Sequence, residues 1–364
     1  MKKLLLAVCT ALFIISAPLG AMEWGGLITN DSGISTPDFS DITFNQANGI
    51  SLWVNSPLGE NFTFAGEASY KFKFQKPKDV DPVITHIVDV PLLKISGDVS
   101  TDSGVVSVNA GRFNYVDGAG AVYSNTLDGV SVEYALPVVK FGAVAGYTGL
   151  LNSLSTYLPS ENDNKFYNMA QALVPVGAFV DFSLFANQSL AVQGYAILDF
   201  ASDAQKAYYA NVILSGPITN SLFYSLASSF GSVDFKNLMN YSALTFMAFP
   251  SEVLSINGGV EFGSAEEQGP FSAFYSLASA AGGKISPKLG LTVATSNMSF
   301  DLSGKYNLTY DGSSYKGTDA EAGAGLVYNI FSDFQIGLKF NAVIDTAGGD
   351  NNNYVANLNV ALAF

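Results

Sequence analysis

Acid–base chemistry near neutral pH calls for a group that titrates there, and the sequence holds one candidate, His86, its only histidine. A Ser-His-acid triad would have to use it. Its neighbours, Val83-Ile84-Thr85 and Ile87-Val88-Asp89, read as the start of a strand beside a loop, and no G-x-S-x-G nucleophile turn occurs. His86 is therefore read as a rim or surface residue, and no enzyme is expected. The single cysteine, Cys9, lies in the apolar N-terminal stretch, so disulfides and thiol chemistry are not expected in the body of the chain. One His and one Cys do not make a zinc site. The acidic stretches 160–164 and 345–353 offer calcium-type oxygens, but the latter lacks the twelve-residue loop closed by Glu, and both are read as solvated loops. No phosphate-cradling glycine loop of the P-loop type is present. Neither a metal nor a cofactor is expected.

What the remaining charged residues can make is a field. Glu67, Lys71, Lys73, Lys94, Asp98, Glu133, Asp301, Lys305 and Lys339 each fall at polar positions of alternating segments. Acidic and basic side chains facing one another across a water-filled hole sort solutes by charge and dipole. Arg112, the only arginine, stands just before an acidic and glycine-rich loop at 117–126. That loop is expected to fold inward and bring Arg112 opposite Asp117 or Glu133 at a constriction. Alternation alone puts Arg112 on the same face as Val106, Val108 and Ala110, so the expectation requires a bulge at Gly111. The expected pore-lining set is Glu67, Lys71, Lys73, Arg112, Asp117 and Glu133.

The elements that must carry these residues are strands. In 61–75, Phe62, Phe64, Ala68, Tyr70, Phe72 and Phe74 oppose Thr63, Glu67, Ser69, Lys71 and Lys73. In 297–311, Met298, Phe300, Leu302, Tyr306, Leu308 and Tyr310 oppose Ser299, Asp301, Ser303, Lys305, Asn307 and Thr309. The window 333–344 repeats the pattern. A period of two means one apolar and one polar face. The windows are longer than the usual strand of about 5–6 residues and fit the roughly 9–11 needed to cross a bilayer at a tilt. No run of about 18 apolar residues follows the N-terminal stretch. Charged residues make up 13% of the chain, about half the usual share. Lys and Arg total 17 against 31 Asp and Glu, which speaks against binding nucleic acid.

The expected fold is an all-β, transmembrane, antiparallel up-and-down barrel of about 18 strands, with 16 as the alternative. Short turns around 137–138, 186–188, 216–218, 249–251 and 331–332 alternate with longer loops at 31–47, 75–83, 117–126, 151–168 and 345–353. Residues 269–283 carry apolar side chains at helical spacing and read as a short helix in one long loop. Trp24 and Trp53 sit near the ends of early strands and fit an interfacial belt. Lys2 and Lys3, the apolar run 4–15 and the small residues up to Ala21 read as a secretory leader, 1–21. Residues 22–364 form a single barrel in this reading. Removing the leader would take the formal charge from −14 to −16.

Tyr354, Leu358, Val360, Leu362 and the terminal Phe364 alternate with Asn357, Asn359 and Ala361. This ending resembles the last strand of bacterial outer-membrane β-barrel proteins. The resemblance implies that these five residues are the signal read by the barrel assembly machinery. The stretch 110–120 followed by Leu127-Asp128-Gly129-Val130 is similar to porin sequences. That likeness implies an integral outer-membrane location, lipid as a partner, and passive diffusion of small hydrophilic solutes. The acidic balance adds a weak preference for cations. A homotrimer and a monomer are both open. Two other functions stay open as well. A hydrophobic-compound transporter of fatty-acid type would need a plug, which 22–47 could supply only in small form. A surface adhesin would act through the loops at 31–47, 151–168 and 263–286.

Overall fold

The two-residue alternation is realised as long paired strands. The computed structural model describes residues 22–37, 39, 41–147, 173–199, 206–233, 235–236, 238–264, 283–349 and 352–364. The expected leader, the loop at 151–168 and all but Gly283 of the expected helix lie outside them. Eighteen strands are formed: β1 (Glu23–Thr36), β2 (Thr43–Leu58), β3 (Phe62–Lys76), β4 (Val83–Ser100), β5 (Val105–Val116), β6 (Ser124–Ala135), β7 (Val139–Tyr147), β8 (Leu173–Ser183) and β9 (Ser189–Asp199). The second half comprises β10 (Lys206–Thr219), β11 (Leu222–Val233), β12 (Met239–Ser251), β13 (Leu254–Gly263), β14 (Lys284–Ala294), β15 (Met298–Tyr310), β16 (Tyr315–Asn329), β17 (Phe334–Asp345) and β18 (Asn353–Ala363).

Each strand pairs antiparallel with its neighbour in sequence, and β18 returns to β1 with Leu27 opposite Ala363 and Thr36 opposite Tyr354. The sheet is therefore a closed barrel, which leaves no unpaired edge. Gly26 seals the seam. Its N–H donates to the Phe364 carbonyl at 2.9 Å, and the Phe364 N–H donates to the Gly26 carbonyl at 3.0 Å. A side chain on Gly26 would collide with the Phe364 ring at 2.3 Å. Connections at one end are brief, such as 220–221 and 252–253; those at the other include 117–123 and 346–352. Glu23, at the start of β1, and Phe364 both lie at the short-turn end.

Register fixes the two faces. Asp301, Gly325, Lys339 and Asn357 stand side by side across β15 to β18, and Asn357 adjoins Gly33 of β1. Asp31, Ala47 and Lys73 continue that face through β1, β2 and β3. The opposite face carries Leu338, Phe340, Leu358, Ile50 and Leu52, all exposed. Across β15 to β18 and β1 to β3 apolar side chains point outward and polar ones inward, the pattern of a transmembrane barrel, whereas β9 and β10 also turn apolar side chains inward, against the segment after β5.

Four sequence expectations need correction. The first strand runs on to Thr36, so the first loop is only 37–42. Pro217 and Pro250 lie inside β10 and β12, not in turns. Irregularities between Pro217 and Thr219 and between Ala248 and Ser251 absorb the ladder bonds a proline cannot donate. Trp53 is not in an outward belt: it stands between Gly25 and Glu67 on the inner face, and its ring fills the space a Gly25 side chain would need. The barrel has 18 strands, so the 16-strand alternative is discarded.

Candidate functional site

The connection after β5 begins Asp117-Gly118-Ala119-Gly120, a sequence built for a tight return. Gly120 takes φ +61 in open space, and its N–H donates to the Asp117 carbonyl at 2.8 Å. The Asp117 N–H reaches the Tyr123 carbonyl at 2.9 Å and closes the turn. The segment then lies against strands that are distant in sequence. Gly118 donates its N–H to Gln193 Oε1 of β9 at 2.9 Å, and any side chain on Gly118 would strike the Gln193 amide at 2.3 Å. The absence of a Cβ permits this approach. Ala121 and Val122 are fully buried, packed with Phe113, Leu127, Tyr195 and Tyr209.

Asp117 is the tether. It is 2% exposed. One carboxylate oxygen accepts the N–H groups of Val122 (2.9 Å) and Tyr123 (2.7 Å). The other accepts the Ala119 N–H (3.1 Å) and the Asn211 side-chain amide of β10 (2.8 Å). Burial raises the Asp117 pKa above the usual carboxylate value, and the surrounding backbone N–H groups oppose that rise. Behind it the Tyr115 and Tyr195 hydroxyls bond at 2.9 Å. The loop therefore crosses to the inner wall at β9 and β10.

Arg112 is 5% exposed and pairs with Asp128 of β6 at 3.6 Å. Its partner is thus neither Asp117 nor Glu133. Its Nε and Nη1 are buried without a hydrogen-bond partner. Gly111 before it adopts φ +116, a local departure from regular strand geometry. Glu133 lies toward the short-turn end and pairs with Lys140 at 3.6 Å. Glu67, Lys71 and Lys73 share the inner face of β3, opposite Trp53, Gly49 and Ala47 of β2. Lys73 borders a recess of about 240 Å³ with Asp31, Asn45, Gln75, Thr85 and Asn357. His86 stands opposite Phe72 on the outward face, its Nδ1 2.8 Å from the Tyr70 hydroxyl.

Across the barrel, β13 to β16 carry a row of paired charges. Lys288 contacts Glu261 at 2.5 Å, and Lys305 contacts Glu321 at 3.4 Å. Lys288 and Lys305 are register neighbours, so the row has a basic centre and acidic flanks. Asn307 extends it by donating to Asp319 (2.5 Å) and Glu321 (2.9 Å). Sequence reading placed Asp301, Lys305 and Lys339 on this face but missed Gln193, Asn211 and Asp128. The first two interrupt apolar inward positions, which marks them. Their partners lie 75 and 94 residues away, which alternation cannot reveal.

A closed up-and-down barrel with an apolar outside, a polar inside and an inward loop is a porin-like fold. Compared with known proteins, the sequence matches no family model and no curated protein. Solved structures do match in fold. The outer membrane protein OpdK of Pseudomonas aeruginosa aligns with a TM-score of 0.63 at 11% identity, over 95% of this chain and 99% of that one. Pseudomonas aeruginosa OpdO aligns at 0.65 and 12% identity, over 94% and 97%. Acinetobacter baumannii OccAB1 aligns at 0.62 and 12% identity, over 94% and 97%.

Proposed function

We propose that the protein is an outer-membrane porin, a passive diffusion channel for small hydrophilic solutes with a weak preference for cations. One observation carries this reading: the closed eighteen-strand wall has, along β13 to β16, an inner face of paired charges and amides. Barrels of about 16–18 strands leave an aqueous channel. Such a lining wets the lumen and does not favour a hydrophobic cargo, which sets the fatty-acid-type alternative aside. An adhesin would need no tethered inward loop. The similar fold of the outer membrane protein OpdK is consistent with channel function. No catalytic role is proposed.

In this reading residues 1–21 are cleaved on export, and 22–364 form one barrel with its short turns on the periplasmic side. Glu67, Lys71, Lys73 and Glu133 line the lumen. Asp117 holds the constricting loop, and Arg112 braces the strand that launches it. The barrel is free to act singly or as a homotrimer.

Planar-bilayer recording tests the channel. Stepwise conductance is expected, with a reversal potential in a KCl gradient of cation-preferring sign. A folded protein that never conducts would overturn the proposal. Lys71 and Lys73 have no ion-pair partner among the described residues. Changing either to Glu alters the lumen charge by two units. That change favours a monovalent cation by about 0.8 kcal/mol at about 10 Å in water and disfavours an anion by as much, so cation-over-anion permeability should rise about sixteenfold.

Tyr354, Leu358, Val360, Leu362 and Phe364 are proposed as the signal for the assembly machinery. Deleting Phe364 removes both seam bonds to Gly26 and the ring that covers it. Heat-modifiable protein in the outer-membrane fraction is expected to fall about tenfold, the equivalent of about 1.4 kcal/mol at the seam. Unchanged levels would dismiss the signal.

A further inference from the structure

Two connections at the long-loop end each carry a phenylalanine in an unusual conformation, stacked on a tyrosine of the barrel wall. In the connection from β1 to β2, the Phe39 N–H donates to Thr36 Oγ1 at 2.8 Å, and Phe39 takes φ +62. Its ring stacks on Tyr354 with centroids 4.6 Å apart and planes 26° apart. In the connection from β11 to β12, Phe235 takes φ +56, and its ring stacks on Tyr208 at 4.2 Å and 20°. A bulky residue at positive φ is strained, so something must hold it there.

Both tyrosines point outward. Tyr354 alternates with inward Asn357 and shares its face with Leu358. Tyr208 alternates with Tyr209, which packs inside against the loop cluster. The two aromatic pairs sit at β18/β1 and at β10 beside β11, half the barrel circumference apart. Phe39 is 69% exposed and Phe235 is 74% exposed. Stacking on the tyrosine covers one face of each ring and leaves the other bare, which in water gains nothing further against the strain. At the headgroup–acyl boundary of a bilayer, aromatic rings are favoured.

We propose that Phe39 and Phe235 are membrane-interface anchors, loop residues folded over the rim onto Tyr354 and Tyr208 with their rings seated in the boundary layer of the lipid leaflet at the long-loop end. The inference rests on the membrane reading above. It adds a lipid contact made by two residues outside the strands, at opposed points of the barrel.

The chain has two tryptophans, Trp24 and Trp53. With both changed to Phe, Phe39→Trp or Phe235→Trp supplies a single reporter in the barrel refolded into phosphatidylcholine vesicles. Lipids brominated near the headgroup are expected to quench either reporter by about half, and aqueous acrylamide should quench it weakly. Full acrylamide quenching with no effect of brominated lipid would overturn the proposal. Leu338→Trp, outward at mid-strand, separates the two levels of failure. Quenching of position 338 by deeply brominated chains, with none at 39 and 235, sinks the anchors alone. No quenching at 338 sinks the membrane reading and the anchors with it. If Trp53→Phe impairs folding, the difference in quenching between Phe39→Trp and the unaltered chain, both keeping Trp24 and Trp53, reads the same quantity.

Discussion

Asp117→Ala is expected to release the inward loop and raise single-channel conductance about twofold, because the loop occupies lumen that a barrel of this size otherwise leaves open. The carboxylate collects the N–H groups of Ala119, Val122 and Tyr123 and the Asn211 amide at a site 2% exposed to solvent. Truncation leaves those donors buried and unpaired, at about 1–3 kcal/mol for each fully affected group. Relaxation of the loop spares part of that cost, so a loss of about 3 kcal/mol is the expected scale. Asn211→Ala removes one of the four contacts and should give a smaller change in the same direction. Conductance of Asp117→Ala equal to that of the unaltered protein would show that the loop is not what narrows the lumen.

The pH dependence of the tether has a definite sign. Burial raises the Asp117 pKa, so folding favours the protonated form. Its contribution is fully present below the ordinary carboxylate pKa of about 3.9 and is lost as pH rises through the raised value. Mild acid should therefore tighten the loop. Conductance is expected to be lower on the acid side of that window, and Asp117→Asn should abolish this component. The carboxylates elsewhere on the inner face titrate as well, so the difference between the two proteins is the informative reading.

Gly111→Val is expected to be the most damaging single change to the wall itself. Gly111 sits at φ +116, and a Cβ there would lie 2.3 Å from the Leu93 carbonyl oxygen and 3.2 Å from Lys94 Cα. These are backbone atoms of β4 and cannot swing aside. Left-handed strain costs about 1–2 kcal/mol for an ordinary residue, and forced overpacking about 1–3 more. Arg112 would be displaced from Asp128 at the same time. A drop of about 3 kcal/mol or more in urea unfolding of the vesicle-embedded barrel is expected. Gly194→Ala serves as the control, since nothing lies within 4 Å of its absent side chain. Equal midpoints for the two variants would refute the argument.

The barrel was legible because its signal is local. Phe62 to Phe74, Met298 to Tyr310 and Tyr354 to Phe364 declare their faces residue by residue, and β3, β15 and β18 follow them closely. Strand ends were less legible where proline intervened. Pro217 and Pro250 read as turns, yet bulges keep both inside strands. The Asp117 loop was legible as a loop because of Gly118 and Gly120. Its docking on Gln193 and Asn211 was not, since that depends on where a closed circle brings β9 and β10 relative to β5. The Arg112–Asp128 pair was hidden for a similar reason. The bulge expected at Gly111 is not found, since the register runs unbroken through it; what alternation cannot show is the positive φ that Gly111 takes inside that register.

The seam between β1 and β18 also sets the order of events in time. Gly26 and Phe364 exchange two hydrogen bonds although nearly the whole chain separates them. Every other strand pairing joins neighbours in sequence; this one joins the first strand to the eighteenth. It joins the two strands farthest apart in sequence, so it is the least local contact of the fold and depends on the curl of the sheet formed by the others. Until it forms, β1 and β18 are two bare edges of a curling sheet, open to pairing with any other strand nearby. A chain stalled with only the seam open would keep seventeen of its eighteen strand pairings and remain sticky at both margins.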